Sequence, residues 1–284
     1  MKRKIYNELL NWKNTNIQKP LMVIGARQIG KTYIINEFCK NEFKDYVYIN
    51  LLEQTEIIKI FEEKISTRDK FKRMEIYLDK DIDLENTIIF FDEIQECEEL
   101  IGALKYFNEA EEPFKIICAG SLLGVKLKRM HSSFPVGKVK MLNMYPMDFE
   151  EFLIANGNIA LVNEIEKCYE NDIAMDSVLH EKALNLYRLY LCVGGMPEAV
   201  KNLLENDKNI LKFDNSIIED IYKSYLNDMN KYVTNKFEAV KIEEVYKSIP
   251  SQLGNMSNKF QYGKISSTAR KRDYETALNW LLSS

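Results

Sequence analysis

The apolar positions of the chain fall into two kinds of pattern. One is a set of short, unbroken runs: 21–25 (LMVIG), 46–50 (YVYIN), 87–91 (TIIFF), 115–120 (KIICAG) and 139–144 (VKMLNM). Uninterrupted apolar runs of this length predict strands buried on both faces, as in parallel sheets. The other pattern has helical spacing. Ile5, Leu9 and Trp12 recur at i, i+4 and i+7 and predict a short helix within 1–18. Helical patterns also run through about Cys39, across about 54–80, and over 98–110, where Leu100, Leu104 and Phe107 share a face. Strands alternating with helices predict βαβ units, hence a parallel sheet covered by helices. The alternation stops near Pro146. From there to about 235 the spacing is helical only, with Ile218, Ile221, Tyr225 and Met229 as one stripe. The segment 236–284 predicts two or three further helices. The expected organisation is an α/β domain over 1–146, a helical domain over 147–235, and a third unit over 236–284.

Composition narrows the classes. The chain has 284 residues, 46% apolar and 29% charged, enough for a packed core and too apolar for extended disorder. Glycine (11) and proline (6) are scarce, which argues against collagen-like, low-complexity or turn-dense all-β folds. The 39 basic and 43 acidic residues leave a net charge of −4, so the whole molecule is no polycation. Five widely spaced cysteines without a CxxC pair read as reduced, mostly buried thiols. Two distant histidines make a zinc site improbable. No run approaches the length needed to span a bilayer, and the basic start MKRKIYNELLNWKN lacks the apolar core of a signal peptide. A cytoplasmic protein without membrane contact is the expectation.

Three constellations carry chemistry. Gly25, Ala26, Arg27, Gln28, Ile29, Gly30, Lys31 and Thr32 match GxxxxGK[ST] where the first strand ends and a helix begins, with Tyr33 next in line. Glycines let backbone N–H groups turn toward phosphate oxygens, and the helix N-terminus adds its dipole. Lys31 can reach the β- and γ-phosphates of a nucleotide, and the Thr32 hydroxyl can ligate Mg²⁺. Asp92 and Glu93 follow the third strand, at the edge where open α/β sheets bind ligands. Asp92 is expected to hold Mg²⁺ and Glu93 to position and deprotonate the attacking water. Ser121, after the fourth strand, is either a contact to the γ-phosphate or attacking water, or part of an ordinary Gly-Ser turn.

Taken in order, GARQIGKT, FFDEIQEC, ICAGSLLGV, FPVGKV, YPMDFEEFL, VGGMPEAV and SIPSQLGN resemble a family within the ASCE division of P-loop NTPases. This is the family of bacterial and archaeal AAA-type predicted ATPases with a helical lid, a winged helix and a C-terminal domain of unknown function. The resemblance covers essentially the whole chain. It implies an α/β P-loop NTPase fold with a three-layer parallel sheet of order 5-1-4-3-2, followed by an all-α lid and a partial winged helix. It also implies ATP and Mg²⁺ as cofactors and ATP hydrolysis. Gly194-Gly195-Met196-Pro197 looks like the GxP element of STAND-type ATPases, which makes Pro197 a candidate adenine contact; a helix-breaking turn is the other reading. Where relatives carry Gly-Arg this chain has Gly137-Lys138, so Lys138 and Arg129 are candidate fingers, supplied in trans if the chain forms a homo-oligomer.

The end of the chain resembles a winged helix that stops short, with the family's C-terminal domain expected to be absent. Ser267 or Thr268 is the expected cap of a recognition helix. Lys264, Arg270, Lys271 and Arg272 make 264–272 the most basic stretch, a candidate DNA contact or a solvated face. Two activities are therefore expected: an ATPase that couples hydrolysis to movement of lid and winged helix, or a slow-hydrolysing ATP-gated switch or DNA-binding scaffold of the STAND type.

Overall fold

A computed structural model describes residues 1–15, 17, 19–109, 114–121, 137–231, 233, 236–254 and 259–282. Five strands form one parallel sheet: β1 (Leu21–Ile24), β2 (Asp45–Asn50), β3 (Thr87–Asp92), β4 (Lys115–Gly120) and β5 (Lys140–Asn143). Each covers one of the five apolar runs. Their order in space is β2-β3-β4-β1-β5, the expected 5-1-4-3-2 read from the other edge.

The strands bury both faces because their residues alternate between two cores. Leu21, Val23, Ile88, Phe90, Ile117 and Ala119 face a layer built by α1 (Ile5–Thr15) and α2 (Lys31–Glu42). Met22, Ile89, Phe91, Ile116 and Cys118 face the opposite layer, made by α3 (Thr55–Glu62), α4 (Thr67–Leu78) and α5 (Glu98–Glu109). The predicted helix faces are the buried ones: Ile5, Leu9 and Trp12 on α1, and Leu100, Leu104 and Phe107 on α5. All five cysteines are free; four are buried and Cys192 is exposed. Burial pushes the Cys39 and Cys97 thiols up to about 12, so they are inert as nucleophiles at neutral pH.

After β5 every regular element is helical among the described residues: α6 (Phe149–Ala155), α7 (Ile159–Glu170), α8 (Ser177–Val193), α9 (Pro197–Glu205), α10 (Ser216–Lys231), α11 (Lys236–Leu253) and α12 (Lys271–Leu281). The chain divides into two compact units, Met1–Asp214 and Asn215–Ser284. The first holds the sheet, its covering helices and α6 to α9. The second is α10, α11 and α12, where α11 packs against both others. On the predicted α10 stripe, Ile221 and Met229 are buried while Ile218 is exposed.

One expectation about the second unit is corrected. α12 does not start at Ser267 or Thr268; its first residue is Lys271, after Arg270, with no side-chain cap. The Ser266 and Thr268 hydroxyls lie 3.4 Å apart in a turn closed by the Ala269 N–H donating to the Ser266 carbonyl. Hydroxyl residues favour such local turns as readily as caps. Lys264, Arg270, Lys271 and Arg272 are all exposed. Lys271 pairs with Glu275 at 3.6 Å and Arg272 with Asp273 at 3.7 Å. No helix among the described residues is long and apolar enough to cross a membrane.

Candidate functional site

β1 lies between β4 and β5, and the chain leaving it crosses over β4 and β3 to reach β2. The strand order reverses there, β1 leading to β2 at one edge and β4 to β5 at the other, the arrangement that leaves a crevice at the carboxyl ends of the strands. The loop 25–30 fills it. Gly25 is squeezed: an added Cβ would sit 2.2 Å from the Met144 carbonyl oxygen and 2.6 Å from Ile29 Cδ1. Ile29 is wholly buried and anchors the loop from below. Gln28 (φ 62°) and Gly30 (φ 91°) are left-handed, and the turn delivers the chain into α2 at Lys31.

Lys31 does not project into solvent. Its Nζ donates to the carbonyls of Gly25 (2.8 Å) and Ala26 (2.7 Å). Burial lowers its pKa to about 8, against the pull of the Glu93 and Asp92 carboxylates, while Arg27 adds to the lowering.

The carboxylates meet this loop from β3. Asp92 is 3% exposed. The Thr32 hydroxyl donates to its Oδ2 at 2.7 Å, the Tyr48 hydroxyl to the same oxygen at 3.2 Å, and the Glu93 N–H to Oδ1 at 3.0 Å. Burial raises the Asp92 pKa; the Thr32, Glu93 N–H and Tyr48 hydrogen bonds oppose it, and the neighbouring Glu93 charge adds to it. Glu93 itself takes a left-handed backbone (φ 53°) and turns the chain into a short 3-10 helix, Ile94–Glu96. The buried Gln95 amide donates to Glu93 Oε2. Ser121 is 1% exposed, at the end of β4, and its Oγ lies 3.4 Å from Arg27 Nε.

A cleft of about 810 Å³ opens over the loop. Arg27, Gln28, Gly30, Lys31, Thr32, Tyr33 and Glu93 line it, together with Met1 and Arg3. α9 adds Pro197, Glu198, Lys201 and Leu204 to the lining. Pro197 comes closest to the loop, its Cγ 3.7 Å from where a Gly30 side chain would begin.

Most of the sequence candidates are thus brought together. Gly25, Ala26 and Ile29 shape the loop from beneath, and Asp92 and Ser121 are buried at the strand ends. Tyr33 is exposed, with its hydroxyl donating to Glu37. Lys138 is exposed in the turn before β5. Arg129 lies outside the described residues. Sequence reasoning passed over Tyr48, Gln95 and Arg3. Tyr48 is one of the polar-faced positions of the half-buried strand β2 and could have been found from its register opposite β3; Gln95 and Arg3 carry no signal of that kind.

The geometry agrees with what the chain is similar to. Residues 17–153 match a family described as "AAA domain". Residues 184–284 match a "Domain of unknown function (DUF8612)". No curated protein matches the chain. Among solved structures, a Walker-type ATPase of Pyrococcus abyssi is similar over 99% of this chain and 89% of its own, at 14% identity and a TM-score of 0.58. PCH-2 of C. elegans (13% identity; 78% of this chain, 65% of that one; TM-score 0.36) and the Drosophila ORC bound to DNA (10%; 98% and 80%; 0.40) are more distant. Family match, strand order and loop agree that this chain carries an AAA-type P-loop ATPase domain, followed by a region related to a domain family of unknown function.

Proposed function

We propose that the chain binds MgATP over the 25–33 loop and hydrolyses it to ADP and phosphate. The observation that carries this reading is that Lys31, Thr32 and Glu93 line one cleft, with the buried Asp92 hydrogen-bonded to Thr32 beneath it. Phosphoryl transfer needs little covalent help; it needs positioning and charge stabilisation. Lys31 exchanges the Gly25 and Ala26 carbonyls for β- and γ-phosphate oxygens. The N–H groups of the loop and of the start of α2 face the same phosphates. Thr32 Oγ1 and Asp92 Oδ2 are hard oxygens 2.7 Å apart, a donor set that suits Mg²⁺ together with phosphate and water oxygens. Bound Mg²⁺ would offset the charge that builds on the phosphates. Tyr48 orients Asp92 by its hydroxyl. Glu93 accepts the proton of the attacking water as the water oxygen bonds to the γ-phosphorus and the bond to the ADP oxygen breaks. Ser121 senses the γ-phosphate, and Pro197 packs against the adenine.

In this reading 1–146 is the nucleotide domain, 147–235 a lid and 236–284 a winged-helix-like domain, and hydrolysis moves the lid and the winged helix. The protein works in the cytoplasm, and a homo-oligomer would let Lys138 or Arg129 reach a neighbour's γ-phosphate. Steady-state turnover of the wild type, Glu93→Gln and Lys31→Ala tests the reading. Wild-type turnover no faster than that of Glu93→Gln, with ATP still bound by both, sinks it.

A second reading is a nucleotide-gated DNA-binding switch. It is favoured by the exposure of Lys264, Arg270, Lys271 and Arg272. Duplex binding that weakens with salt, and weakens further in Arg270→Ala/Arg272→Ala, supports it; binding indifferent to both removes it.

A further inference from the structure

The basic start of the chain and the YPMDFEEFL segment meet at the phosphate loop. Arg3 is almost wholly enclosed, its side chain 7% exposed. Nη1 donates to the Ile29 carbonyl at 2.8 Å, and Nη2 to the Tyr145 carbonyl at 2.6 Å. Nε lies 3.1 Å from Glu151 Oε2, an ion pair without hydrogen-bond alignment. Glu151 is itself 6% exposed on its side chain. It is fixed by the Lys4 N–H (2.6 Å to Oε1) and closes the capping box of α6 with Asp148. The Lys4 ammonium pairs with Asp148 at 2.7 Å and also with Glu150. One guanidinium therefore joins the phosphate loop, the exit of β5 and the N-terminus of α6.

We propose that Arg3 is the positioning residue of the phosphate loop, and that Glu151 holds it in place. This deepens the ATPase reading and rests on it. The peptide joining Ile29 to Gly30 is trans, so its C=O and N–H point in opposite directions. Arg3 grips the C=O and so directs the Gly30 N–H away from itself, to face phosphate. The grip is charge-assisted and forked, which a lysine or a neutral side chain cannot reproduce. It also stays in place when Lys31 leaves its two carbonyls for the nucleotide, because Arg3 uses a different carbonyl. The conformation that accepts phosphate is thus set before the phosphate arrives, which lowers the ordering cost of binding.

The test uses the full chain, with Arg3→Met and Glu151→Gln beside Lys31→Ala. ATP affinity is measured calorimetrically, KM and kcat by turnover, and amide hydrogen exchange over 25–33 without nucleotide. Arg3→Met is expected to weaken ATP binding about tenfold, the size of one lost charge-assisted hydrogen bond. KM should rise more than kcat falls, and exchange over 25–33 should quicken. Glu151→Gln should move both readouts the same way, by less. An Arg3→Met protein of lowered melting temperature that keeps wild-type ATP affinity and wild-type exchange reduces Arg3 to a structural brace and overturns the proposal. If Arg3→Met does not fold, Glu151→Gln decides by the same two readouts. A wild type that binds ATP no better than Lys31→Ala removes the ATPase reading instead, and exchange in the nucleotide-free chain still decides the role of Arg3.

Discussion

Lys31 shows how burial shapes a lysine side chain. Its pKa of about 8 is depressed from the usual lysine value, so the free protein begins to lose this proton just above neutrality. Phosphate favours the charged form, so binding takes up a proton there. The Lys31 contribution to ATP affinity should therefore be constant below about pH 8 and fall as pH rises above it. Calorimetry in buffers of different ionisation heat would show the uptake, and Lys31→Arg should lose the pH dependence. Gly25 shows a steric demand at the same scale. Gly25→Ala would force a methyl to within 2.2 Å of a backbone oxygen and should cost about 1–3 kcal/mol or more, read as a lowered melting temperature and lost ATP binding. Gly263→Ala, with nothing within 4 Å of the new methyl, should melt like the wild type. The loop residues were legible because their spacing alone implies phosphate chemistry. Arg3 was not, because its partners lie 26, 142 and 148 positions away and no local pattern encodes them.

At the scale of elements, the strands could be read because uninterrupted apolar runs of four to six residues have few other uses in an α/β chain. Their facing could not be read, since both faces are apolar. β2 is the informative exception. Its register sets Asn50 opposite Asp92 and Tyr48 opposite Phe90, and the Tyr48 hydroxyl then reaches Asp92. Tyr48→Phe keeps the ring against Phe90, 5.3 Å between centroids, and removes the donor alone. Turnover should fall about tenfold, as for one hydrogen bond to a charged group, while the melting temperature changes little. A melting loss of many degrees with unchanged turnover would refute the orienting role. The start of α12 was misread because two hydroxyl residues in a turn look the same in sequence as two candidate caps.

For the whole molecule, every described residue lining the cleft over the 25–30 loop belongs to the unit Met1–Asp214. A fragment ending at Asp214 should therefore bind ATP with the affinity of the full chain; a calorimetric loss beyond tenfold would show that Asn215–Ser284 contributes to the site. The α/β half was legible as a fold because crossover rules leave few arrangements for alternating strands and helices. The helical half was legible only as helices, since nothing in a helical stripe names its partner. β3 is buried at all six positions and reads Ile-Ile-Phe-Phe between Thr87 and Asp92. A slip of one residue would exchange its two faces without exposing an apolar side chain, so hydrophobicity does not encode where this strand stops. The polar ends, Thr87 and Asp92, are what bracket the run. Replacing Asp92 by an aliphatic residue would strip every acceptor from Thr32, Tyr48 and the Glu93 N–H; Asp92→Asn removes the charge and the oxygen that serves the Glu93 N–H but keeps one for Thr32 and Tyr48, and is the milder change.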